Sequence, residues 1–140
     1  MSTRTLLRQL PTRIATGAFV LNSGLGKRNA DQETAEHLHG FASGTYPVLG
    51  KLDARRFASL LSAGEIATGV LLLTPFVPAA VAGAALTGFA GALLGLYVKT
   101  PGMRHEGSIR PTEQGIGLAK DVWLLGIGLS LLADGVTRDR

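Results

Sequence analysis

The sequence contains no cysteine, which excludes disulfides, thiolate-held zinc or iron–sulfur clusters, and a cysteine nucleophile. Charge is scarce: Asp, Glu, Lys and Arg make up 17% of the chain, and they avoid its long apolar segments. Those segments also lack histidine, so none offers an axial haem ligand. His37 and His39 stand two apart and point to different sides of a helix, which makes a poor metal pair. No Ser, His and acid constellation is visible, so neither a catalytic residue nor a metal ligand is assigned. Gly24-x-Gly26-Lys27 lacks the upstream strand and the spacing of a phosphate loop and reads as a helix-ending turn.

What is present points to lipid as the solvent for much of the chain. Of 140 residues 46% are hydrophobic, and the mean hydropathy is +0.26; the length suits a single domain, 1–140. The 19 glycines are too many for ordinary soluble helices, where each costs about 1 kcal/mol relative to alanine. They suit membrane helices whose backbones approach closely. The net charge of +4 comes from bases such as Arg4, Arg55, Arg56, Lys99 and Arg138 that flank apolar segments. Contact with lipid headgroups explains them more simply than nucleic acid does.

Four segments carry the apolar residues, at 6–23, 57–73, 77–98 and 116–133. The fold class they predict is all-α, an integral membrane antiparallel four-helix bundle. The second and third are long and clean enough to span, and the short turn Thr74-Pro75-Phe76-Val77-Pro78 makes them a hairpin. The first is interrupted by Arg8 and Arg13; no small-x-small cleavage pattern follows Leu21, so it reads as a retained helix and not a signal peptide. Between the first two segments, Asn29 as cap, acidic Asp31 and Glu33 and the stripe Ala35, Leu38, Phe41, Ala42 predict a short amphipathic helix over 30–43, on the membrane surface or capping the bundle. Lys99 to Gln114 reads as an ordered loop. An even number of spans places both termini on one side. The basic residues of the long loops favour facing those loops to the cytoplasm, whereas the purely basic flank of the first helix favours cytoplasmic termini, the orientation expected here. Arg- and Ala-rich, lysine-poor usage fits a bacterium, hence its cytoplasmic (inner) membrane.

Glu65 stands in the middle of the second segment, where an ionisable group marks a functional or packing site. Helical spacing puts Ser62, Glu65, Thr68 and Gly69 on one face. Two readings stay open. Glu65 either carries protons or binds the polar head of a quinone or another lipid-soluble ligand; or it bonds Ser62 and Thr68 and pairs with Arg13 or Lys120 to fix helix register. Lys120 and Asp121 either complete that site or sit at the water boundary, with Trp123 as an interface anchor. On the third segment Gly88, Gly91 and Gly95 share a face, and Gly128 lies on a similar face of the fourth; both predict close helix packing.

The pattern resembles the DoxX-like family of small four-helix membrane proteins. The likeness rests on Gly24-Leu25-Gly26-Lys27, on Arg56-Phe57-Ala58 leading into Glu65-Ile66-Ala67-Thr68-Gly69-Val70-Leu71-Leu72-Leu73, and on Ala119-Lys120-Asp121-Val122-Trp123-Leu124-Leu125-Gly126. It implies an accessory or anchor subunit of a membrane-associated oxidoreductase without autonomous activity. Related proteins serve as small subunits of thiosulfate:quinone oxidoreductase or belong to assemblies in oxidative-stress defence. The partners implied are membrane lipids and an oxidoreductase protein or a second copy of the chain. No cofactor is implied beyond a quinone near Glu65. A quinone-linked redox subunit and a small transporter or lipid-soluble-ligand binder are the alternative expectations.

Overall fold

The computed structural model describes residues 3–29, 31–100, 102–113 and 115–138. Ala30 at the start of the predicted surface helix, Pro101 after the third segment, Gln114 at the end of the predicted loop and Arg140 in the C-terminal tail lie outside the described residues. Among the described residues the chain is all-helical, with one isolated bridge, Arg104 to Pro111, and no strand. Three helical stretches are long and apolar enough to cross a membrane: Ala54–Leu73, Ala79–Lys99 and Ile116–Thr137. These are the second, third and fourth predicted segments.

Helix α1, Thr3–Lys27, runs longer than predicted at both ends and is not apolar enough to join those three. Its inward face is polar, although Arg4, Arg8, Thr12 and Asn22 are exposed. Thr5, Gln9, Arg13 and Thr16 are buried, whereas Leu7, Ile14, Phe19 and Leu25 are exposed. A soluble helix turns its apolar stripe inward; α1 turns polar and small residues inward, a pattern that membrane helices share. Helix α3, Ala54–Leu73, completes this polar seam with buried Ser62, Glu65 and Thr68.

Two helix pairs are closely packed, α1 with α3 and α4 (Ala79–Lys99) with α6 (Asp121–Arg138), while the pairs touch each other much less. Glycine sets both close approaches. A Cβ on Gly24 would lie 2.9 Å from the Ile66 backbone nitrogen, and one on Gly69 would lie 2.8 Å from that of Leu21. In the other pair Gly83 and Gly128 stand against the Leu132 and Thr87 backbones at 2.5 and 2.8 Å, and Gly135 against Ala80. The predicted packing glycines are thus corrected in part. Gly128 is an interface residue, but Gly88 and Gly91 meet nothing within 4 Å, because α6 lies on the Gly83–Leu86–Ala90 side of α4. Gly95 makes room for the Tyr46 hydroxyl, which donates to Ala92 O at 2.7 Å.

Helix α2, Gln32–Thr45, is the amphipathic helix expected in the first connection, and it packs on α3 and on the 3-10 turn Pro47–Lys51. Its cap is Asp31 rather than Asn29: the Asp31 carboxylate accepts the Thr34 N–H at 2.8 Å, and that bond holds its pKa below the usual carboxylate value. Asp53 caps α3 in the same way through Arg56 N–H. The predicted fourth segment is broken at Lys120, between the short α5, Ile116–Ala119, and α6. The connection after α4 is pinned by its own bonds: Arg104 donates to Val98 O and Ser108 O, and Tyr97 to Ile109 O at 2.5 Å.

Candidate functional site

Because the two helix pairs are each tight and meet loosely, space remains between them. That space is a cavity of about 480 Å³, within the range of small-molecule sites. Every α-helix contributes to its wall, and α2 supplies Leu38, Phe41 and Ala42. Phe57, Leu61, Leu93 and Leu96 give the lining its apolar character; Ala42, Phe57 and Leu96 also form the buried cluster on which α2 sits.

The polar residues of the lining are Ser23, Lys27, His37, Glu65 and Asp121. Glu65 is 2% exposed and makes an ion pair, Lys27 Nζ to Glu65 Oε1 at 3.0 Å, with a second approach to Oε2 at 3.3 Å. Lys27 also donates to Ser23 Oγ at 2.6 Å, one turn back on α1. Gly24 stands directly against the Glu65 Cβ, so the close approach of α1 to α3 is also what brings Lys27, three residues on and on the same face, to the carboxylate.

This corrects the expected partners of Glu65. Arg13 lies eleven residues before Gly24, the residue opposite Glu65, about 16 Å away at 1.5 Å per residue. It is 1% exposed and serves the end of α3 instead. Its Nε donates to Leu72 O at 2.9 Å, its Nη2 to Leu71 O and Thr74 O at 2.8 and 2.9 Å, and its Nη1 to Val77 O at 3.0 Å. The last carbonyls of a helix have no intrahelical donor, and a guanidinium fork can satisfy several of them together. Lys120 is exposed and lines no part of the cavity. Ser62 and Thr68 do not bond Glu65 either: Ser62 Oγ donates to Gly24 O at 2.7 Å across the helix pair, and Thr68 Oγ1 to Gly64 O at 2.8 Å within α3.

Of the predicted site residues the structure therefore brings Glu65 and Asp121 to one cavity and assigns Arg13, Ser62 and Thr68 to the polar seam. The residues that sequence reasoning missed are Lys27, Ser23 and His37. For Lys27 a signal existed, its i+3 spacing from Gly24; for His37 there was none, because the fold-back of α2 over the helix pairs leaves no periodicity. His39 is occupied elsewhere, with Nε2 2.8 Å from Leu49 O and its ring tilted against Phe57.

No family model matches the chain, and no curated protein or solved structure matches it either.

Proposed function

We propose that the protein is an antiparallel four-helix membrane bundle whose cavity binds a small lipid-soluble ligand, with an apolar body among the leucines and phenylalanines and a polar head at Lys27 and Glu65. One observation carries this reading: an apolar cavity of about 480 Å³ whose wall holds the Lys27–Glu65 ion pair and a second carboxylate. The ammonium offers a donor and the carboxylates offer acceptors, the few convergent polar groups by which such sites orient a ligand. In the bundle reading α1 is the fourth spanning helix, its leucines toward lipid and its polar seam against α3. The setting is the bacterial cytoplasmic membrane, with both termini in the cytoplasm. The role that the DoxX-like resemblance implies, an accessory subunit beside an oxidoreductase, would make the ligand a quinone and Glu65 its proton partner.

The test is organic extraction of protein purified in mild detergent, followed by mass spectrometry of the co-purifying small molecules. The wild type should carry one amphipathic species far above bulk lipid, and Leu93→Trp, which fills the cavity, should lose it. A wild type with only bulk lipid, or a Leu93→Trp protein with an unchanged complement, contradicts the reading.

A further inference from the structure

The charges lining the cavity do not balance. With histidine counted as neutral, its wall carries one cation, Lys27, and two anions, Glu65 and Asp121. Lys27 is already engaged, at 3.0 Å from Glu65 and 2.6 Å from Ser23. Asp121, in the first turn of α6 and partly exposed, takes part in no ion pair among the described residues, and Glu65 and Lys27 lie near enough to act on it through charge. An unbalanced carboxylate against an apolar wall is costly, and a positive head group is what would offset it.

The aromatic residues lean the same way. The chain has five phenylalanines; Phe41, Phe57 and Phe89 line this one cavity, and Phe19, which is largely exposed, borders it. Ring faces attract cations, most of all cations stripped of water. Leucine would fill the same space equally well for a neutral or anionic guest.

We infer that the cavity selects lipophilic cations: an ammonium or phosphonium centre on an apolar body, with Asp121 as its counter-charge, Glu65 already paired with Lys27, and aromatic rings among the lining. The inference rests on the reading of the cavity as a ligand site and names the class of ligand. A neutral quinone would gain nothing from Asp121, and an anion would be repelled by it.

Equilibrium binding to the protein in lipid nanodiscs tests this with three probes. Tetraphenylphosphonium and tetraphenylborate share one shape and differ in charge, and a short-chain ubiquinone analogue is neutral. Saturable phosphonium binding should exceed borate binding by about tenfold or more, the effect of one favourable charge pair at intermediate dielectric. Asp121→Asn should remove most of that preference and leave quinone-analogue binding unchanged. Equal or tighter borate binding overturns the inference, as does a phosphonium affinity indifferent to Asp121→Asn. Saturable binding of the quinone analogue alone also overturns it while upholding the cavity as a ligand site; saturable binding of none of the three overturns both. The comparison of phosphonium with borate is made on the wild type, so it does not depend on the folding of any variant.

Discussion

At the scale of single residues, the buried charges divide into one that holds the fold and others that shape the cavity. Arg13 holds the fold. Replacing it with methionine keeps the apolar stem but leaves the Leu71 and Leu72 carbonyls without donors, at roughly 1–3 kcal/mol for each buried group left unsatisfied. Arg13→Met should therefore lower the unfolding free energy in detergent by about 3 kcal/mol, and Arg13→Lys should recover only part of it, because an ammonium lacks the planar fork. Unfolding curves monitored by far-UV circular dichroism check this; an unchanged midpoint for Arg13→Met would contradict it. Glu65 was legible in the sequence as a costly ion in an apolar run, and its inward face followed from helical spacing. Its partner was not legible, because the pairing is set by the register between α1 and α3. That register places Gly24 opposite Glu65 and Gly17 opposite Leu72, with Arg13 a turn farther on; the i+3 spacing puts Lys27 on the face of Gly24, but spacing within one helix does not say which residue of α3 that face meets.

At the scale of helices, glycine decides which faces meet. Gly83 and Gly69 have backbone from a neighbouring helix within 2.5 and 2.8 Å of where a Cβ would stand, whereas Gly88 and Gly91 have open space. Gly83→Leu and Gly69→Leu should each destabilise by roughly 1–3 kcal/mol or more, the range for forcing bulk into a packed contact. Gly88→Leu and Gly91→Leu should leave stability in detergent unchanged within about 0.5 kcal/mol, as surface substitutions usually do. Thermal unfolding of the four variants side by side measures this, and a large loss in Gly91→Leu would show that this face of α4 also packs. The small-residue row of the third segment was legible as a pattern, but helical periodicity could not say which of two small-residue faces, Gly83 with Ala90 or Gly88 with Gly91, receives α6. The extent of α3 and α4 was legible to within a few residues, because Arg55-Arg56, the turn Thr74 to Pro78 and Lys99 bound the two apolar runs.

At the scale of the whole molecule, an all-helical chain with three stretches apolar enough to cross a membrane buries polar residues along the α1–α3 seam. Two glycine-tight pairs leave a cavity between them, and α2 closes onto it. The cavity was not legible in the sequence, because it arises from the looseness between pairs and from the placement of a connecting helix, and neither has a local signature. The most direct measurement is photolabelling in liposomes with a diazirine-bearing lipophilic ammonium probe, followed by peptide mapping of the adducts. Adducts should concentrate on Leu61, Phe89 and Leu93 and vanish when excess unlabelled amine is added or when Ala42→Trp fills the cavity. Adducts confined to exposed residues outside the cavity such as Leu7, Val81 and Leu129, unaffected by competitor or by Ala42→Trp, would contradict the account.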